Sequence, residues 1–216
     1  MVNNITDSSA PVVVVRFSVT GILLPTNHGY LLYSAICKIL PTLHDSEWSR
    51  YLSIEQISGI PSKPGKISLP SQESTLSLRL PYEHLKEVLP LAGKRLDIAD
   101  DVIRLGLPRI EMLVASPQLY ARMVTIKKFM DVDTFLLAAN RQLAEQEIKA
   151  KLFVPFDEQG RHHRRVLTIH DKTIVGFSLI AQDLSPEDSI TLQAYGLGGR
   201  QHMGCGIFNP IVKLQK

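Results

Sequence analysis

VVVVRFSV, residues 12–19, decides how the first half of this chain folds. Four consecutive valines and a Phe-Ser-Val end suit extended backbone, and the run reads as a buried strand. Pro25-Thr26-Asn27-His28-Gly29 follows as a turn cluster. From Tyr30 to Leu40 the apolar residues recur at Leu31 and Ala35, and at Leu32, Ile36 and Ile39, which is helical spacing; Pro41 stops it. The chain therefore opens strand, loop, helix.

Further along the chain, Leu76, Leu78 and Leu80 alternate with Ser77 and Arg79, the pattern of a half-buried strand. Pro81-Tyr82-Glu83 opens a short helix through Val88, and Val102–Leu107 reads as another strand. Pro108 and Pro117 bracket an expected domain junction. The second half repeats the plan. Arg122–Lys127 is a strand, and Asp131 or Asp133 caps a helix running to about Ile148. Arg164–His170 and Thr173–Ile180 form a hairpin around Asp171-Lys172. Ser185 caps a helix with Pro186 at its first position, and Ile207–Leu214 is a closing strand. Two successive β-α-β-β-α-β-like halves imply an α+β chain of two tandem ferredoxin-like (RRM-like) domains. The expected boundaries are a disordered tail over 1–11, one domain over 12–116 and another over 117–216. The RRM architecture makes RNA a reasonable ligand by analogy.

Composition sets outer bounds. The 216 residues are 44% hydrophobic and 21% charged, an ordinary globular profile. The formal net charge of +3 is too small to indicate nucleic acid by itself. Its distribution says more: residues 1–116 hold 11 basic and 11 acidic side chains, residues 117–216 hold 13 and 10. Arg161-His162-His163-Arg164-Arg165 concentrates the excess. The two cysteines, Cys37 and Cys205, lie far apart and form no CxxC motif, which points to the reducing cytoplasm. The run Val12–Val15 is too short to cross a bilayer, and residues 1–10 lack the basic start of a signal peptide.

Gly196-Leu197-Gly198-Gly199-Arg200-Gln201-His202-Met203-Gly204-Cys205-Gly206 is the most informative stretch, with five glycines in eleven residues. Glycines admit φ > 0, and their N–H groups can form an anion-binding concavity. Arg200 and His202 sit among them. A dinucleotide loop must follow a strand and open a helix, whereas here a helix precedes the glycines. A P-loop needs Gly-Lys-Ser/Thr, which is absent from the segment. A plain turn into the final strand remains the bland alternative.

The segment GLGGRQHMGCGIFNP resembles the C-terminal glycine-rich loop of the Cas-six family of CRISPR-associated repeat endoribonucleases, and of its Myxan subtype in particular. His28-Gly29-Tyr30-Leu31-Leu32-Tyr33 after the opening strand, Leu91-Ala92-Gly93-Lys94-Arg95-Leu96 and Val124-Thr125-Ile126-Lys127 fit the same family, so the likeness runs from about residue 12 to 214. The resemblance implies tandem ferredoxin-like domains and cleavage beside a repeat hairpin without a cofactor or metal. It also implies 5′-hydroxyl and 2′,3′-cyclic phosphate ends, and delivery of the product to a type I interference complex, whose subunits become partners alongside the CRISPR repeat RNA.

Such cleavage needs a base for the 2′-hydroxyl and an acid or cation at the leaving 5′-oxygen. Histidine serves both roles near neutral pH. His28 is the first catalytic candidate, in a turn expected at the surface; Tyr33 and His44 are the others. In some relatives a histidine stands about where Tyr33 stands here. Tyr30 can orient RNA or stack on a base. Arg161, His162, His163, Arg164 and Arg165 are expected to grip hairpin phosphates, with Lys127 and Lys128 beside them. Gly198, Gly199, Arg200, Gln201 and His202 are expected to meet the backbone of the RNA. Asp100-Asp101 and Asp131-Val132-Asp133 lack companion ligands at metal spacing. Two other classes stay open: a non-catalytic repeat-RNA-binding subunit of an effector complex, and a small-molecule-binding ferredoxin-like protein.

Overall fold

The structure, a computed structural model, describes residues 10–70, 74–169 and 172–211. Most of the expected tail, His170 and Asp171 of the expected hairpin, and residues 212–214 of the expected closing strand lie outside the described residues. The chain divides into two compact units, residues 1–112 with 202–204, and residues 113–201 with 205–216.

In the first unit the strands are β1 (Val12–Gly21), β2 (Leu23–Pro25), β3 (Ser53–Ile54), β4 (Ile60–Pro61), β5 (Lys66–Ser68), β6 (Thr75–Pro81), β7 (Arg95–Ile98) and β8 (Asp101–Met112). Helix α1 (Gly29–Ile39) follows β2, and α2 (Leu85–Val88) follows β6. The main sheet runs β3-β6-β1-β8-β7. β1 pairs antiparallel with both β6 and β8, while β3, after α1, lies on the far side of β6. That insertion of one strand between β1 and β3 is the split β-α-β of a ferredoxin-like fold. The period-two pattern of β1 sends Val13, Val15, Phe17 and Val19 into a core shared with Leu32, Ala35 and Ile36 of α1 and Leu76, Leu78 and Leu80 of β6. Each such side chain, fully buried, contributes about 1.5–3 kcal/mol.

One expectation needs correction here. β6 is buried on both faces: Arg79 is 1% exposed, because its guanidinium donates to the Glu55 carboxylate at 2.7 Å. Pro108 lies within β8 opposite Phe17, beside a register shift in the pairing, and the two compact units part between Met112 and Leu113. A small sheet of β2-β5-β4 was not foreseen, since its strands have two or three residues and carry no periodic signal.

The second unit repeats the plan: β9 (Leu119–Val124), α3 (Val132–Glu145), β10 (Lys151–Phe153), β11 (Arg164–Ile169), β12 (Lys172–Gln182), α4 (Pro186–Tyr195) and β13 (Phe208–Pro210). Its sheet runs β10-β12-β9-β13, again the split arrangement, with β11 paired to β12. Asp131 caps α3 by accepting from the N–H groups of Asp133 and Thr134, and Ser185 caps α4 by accepting from Asp188 N–H. Such caps contribute about 1 kcal/mol each. Phe135 of α3 meets Phe177 of β12 at 4.9 Å between ring centroids, inside a core with Leu119, Leu179 and Phe208. The strand expected over 122–127 starts three residues earlier and ends at Val124, so Lys127 and Lys128 lie in the turn that follows.

Candidate active site and nucleic-acid interface

α1 begins where Gly29 abuts residues 202–204. A Cβ on Gly29 would lie 2.3 Å from the Met203 carbonyl oxygen, so only glycine admits this approach. Gln56 Nε2 donates to the same carbonyl at 3.3 Å. The segment so held presents His202, whose ring stacks on Tyr33 of α1 at 5.0 Å, with planes 13° apart. His202 Nε2 lies 2.7 Å from the Ser49 carbonyl oxygen. A carbonyl can only accept, so Nε2–H donates to it, which leaves Nδ1 as the nitrogen that carries the lone pair in the neutral tautomer. Tyr33 also meets His44 edge-on, centroids 6.0 Å apart. His44 is exposed at the end of the 3-10 turn Pro41–His44. Tyr33, His44 and His202 thus form one cluster in the first unit.

Tyr33 and Cys37, four apart on α1, share a face. Burial, together with a hydrogen bond from the phenol to the Cys37 thiol, pushes the Tyr33 pKa up to about 12. The phenol is therefore a donor near neutral pH and cannot act as the base.

The expectation of a surface-exposed, mobile His28 is overturned. His28 is 0% exposed. Its Nδ1–H donates to the Pro25 carbonyl at 2.8 Å and its Nε2 accepts from Ile57 N–H at 3.0 Å. With both nitrogens engaged by backbone, this imidazole holds two loops together and has no lone pair for a substrate. Tyr30, one turn before the cluster, is half-buried.

In the second unit the glycine-rich segment departs from the expected anion concavity. Gly198 N–H donates to the Gln142 side chain at 2.8 Å, Gly199 N–H to the Thr125 carbonyl at 3.0 Å, and Gly206 N–H to the Met123 carbonyl at 2.7 Å. An added Cβ on Gly198, which sits at φ +74°, would lie 2.4 Å from the Thr125 carbonyl oxygen, so close packing requires glycine there. Gln201 is structural, donating to the Tyr195 carbonyl at 2.7 Å. What the segment presents is Arg200, exposed and held at φ +64°. Lys127 and Lys128 are exposed, and Lys128 is also left-handed, at φ +75°.

The run 161–165 is not one continuous grip. Arg164 and Arg165 are successive residues of β11 and point to opposite faces. Arg164 is exposed; Arg165 is half-buried, its Nε donating to Ser178 Oγ at 3.4 Å. Arg161 pairs with Asp157 at 2.9 Å, and His162 stacks on Phe156 at 4.6 Å. Burial, with repulsion from Arg165, lowers the His163 pKa below its ordinary value. Sequence reasoning passed over Phe156 and Asp157, although an aromatic residue and a turn-forming Asp directly before a basic run are a usable signal.

Among the described residues, no group of three or more His, Cys, Asp or Glu side chains is placed to hold a metal ion, and no helix is long and apolar enough to cross a membrane.

The model of the family described as Cas6 Crispr matches residues 13–213. The CRISPR-associated endonuclease Cas6 of Myxococcus xanthus (strain DK1622) is 39% identical over 194 residues, which cover 90% of this chain and 79% of the relative. Among solved structures, a CRISPR associated protein Cas6 superposes with a TM-score of 0.62 at 11% identity, covering 93% of this chain and 99% of its own. The product of a Cas6-related gene from Pyrococcus furiosus does so with a TM-score of 0.61 at 15% identity, covering 93% and 98%. At those identities the two structures speak for the fold alone. The family match over nearly the whole chain and the 39% identity carry the assignment: this chain belongs to the Cas6 family of CRISPR-associated proteins.

Proposed function

We propose that this chain binds the repeat hairpin of a CRISPR transcript and cuts it without a metal, supplying guide RNA to a type I complex in the cytoplasm. The observation that carries the reading is the flat stack of His202 on Tyr33 beside His44. His202 Nδ1 takes the proton of the 2′-hydroxyl, and that oxygen bonds to the adjacent phosphorus. The P–O5′ bond breaks, and His44 gives its proton to the leaving 5′-oxygen. The products carry a 2′,3′-cyclic phosphate and a 5′-hydroxyl. Tyr33 fixes the angle of His202 and donates no proton to the reaction. In this reading residues 12–116, with His202 from the glycine-rich segment, provide the catalytic half. Residues 117–216 provide the grip, through Lys127, Lys128, Arg164 and Arg200. Cys37 and Cys205, both buried free thiols, suit a reducing compartment.

The test is cleavage of an end-labelled repeat in EDTA. Each of His202→Ala and His44→Ala is expected to slow cutting by about 10²–10⁴-fold with binding retained. Wild-type rates in both variants would remove the catalytic assignment. A second reading, a non-catalytic repeat binder, is favoured by one feature: His28, the histidine nearest the start of α1, is locked in the fold. It predicts tight binding by the wild type with no cut.

A further inference from the structure

Phe156 is 64% exposed, yet its backbone is tied across a closed loop. Residues 156 and 162 form an antiparallel bridge, and His163 N–H donates to the Pro155 carbonyl at 2.7 Å. Between them Asp157 closes the loop. Its Oδ1 accepts from the N–H groups of Gln159 and Arg161, each at 2.9 Å, and its Oδ2 from Arg161 Nε at 3.0 Å. These bonds hold the Asp157 carboxyl below the usual range, the Arg161 N–H being the largest contributor. On this frame the His162 ring stacks on Phe156 at 4.6 Å, 28° from parallel. Since the phenyl ring is covered on that side and still largely exposed, its remaining surface faces solvent.

A large apolar ring left mostly in water forgoes most of the stabilisation that burial would give it. The stack on His162 already restricts the ring, so an incoming flat group immobilises it at lower cost. Arg161 and Arg164, on either side of His162 in the chain, are both exposed; Arg161 is paired with Asp157, and the charge of Arg164 favours an anionic partner. A flat π-face beside cations, on a rigid loop, matches the chemistry of an unpaired nucleobase on a phosphate backbone.

We propose that the Phe156–His162 pair is a stacking platform for one unpaired base of the bound repeat RNA. The proposal rests on the RNA-binding reading above and adds a ligand site to it. Base stacking on an aromatic side chain contributes about 1–3 kcal/mol, so Phe156→Ala should weaken repeat affinity by about 5- to 150-fold. The salt dependence should not change, because no charge is removed. Phe156→Trp should keep the affinity.

The experiment measures binding of the repeat RNA, intact and with a single abasic site moved along its unpaired positions, to wild type, Phe156→Ala and Phe156→Trp. One abasic position should reproduce the loss seen with Phe156→Ala and add nothing on top of it. The platform is overturned if Phe156→Ala binds within about twofold of wild type, or if every abasic loss adds independently to the variant's. A protein partner for Phe156 would show as the first of these outcomes. Failure of wild type to bind any repeat RNA would remove the RNA-binding reading and the platform with it, before any variant is compared.

Discussion

His202 lies against Tyr33 with ring centroids 5.0 Å apart, although 169 positions separate the two in the chain. The stack depends on three supports: the Ser49 carbonyl on His202 Nε2, the Gln56 amide on the Met203 carbonyl, and the bare Cα of Gly29. Each support is a separate test of how the cluster is held.

Gly29→Ala places a methyl group where the Met203 carbonyl stands. The helix start can tolerate alanine, so segment 202–204 must move. Cleavage should fall by roughly 10²-fold, as expected for catalytic groups displaced by about 1 Å, while the melting temperature changes little. Equal loss of melting temperature and activity would show the residue to be structural only.

His28→Ala removes the partners of the Pro25 carbonyl and the Ile57 N–H. Each buried group left unsatisfied costs about 1–3 kcal/mol. The variant should unfold at markedly lower denaturant yet, while folded, cut at close to the wild-type rate. A cleavage rate reduced a hundredfold in a fully folded variant would restore His28 as a catalyst.

Arg200 at φ +64° holds a conformation that costs a non-glycine residue about 1–3 kcal/mol. Arg200→Gly should therefore leave stability unchanged or raise it slightly, offset by the greater backbone entropy of glycine. Affinity for repeat RNA should fall, and the slope of log affinity against log salt should shrink by about 0.7–0.9. An unchanged slope would show that Arg200 touches no phosphate.

The Tyr33 pKa, raised to about 12, makes the folded state hold this proton more tightly than the unfolded chain. Its contribution to stability is complete below about pH 10 and is lost as pH rises toward 12. Tyr33→Phe should remove one late-titrating phenol from the ultraviolet titration and flatten that alkaline loss. A Tyr33 that ionises near pH 10 would contradict its burial against Cys37.

Periods of 2 and 3.6 in apolar residues are local facts, so the repeated strand and helix order can be read from the chain alone. β1, α1, β6, α3 and α4 were legible for that reason, as were the Asp131 and Ser185 caps. The short strands β2, β4 and β5 were not, since two or three residues hold no period. His44 and Tyr33 could be named as chemistry-bearing residues, but their meeting with His202 could not, because it joins distant parts of the chain. Solvent exposure was decided only by tertiary structure. A turn histidine and a β6 arginine look solvated in one dimension; folding gave His28 two backbone partners and Arg79 a carboxylate, and so buried both.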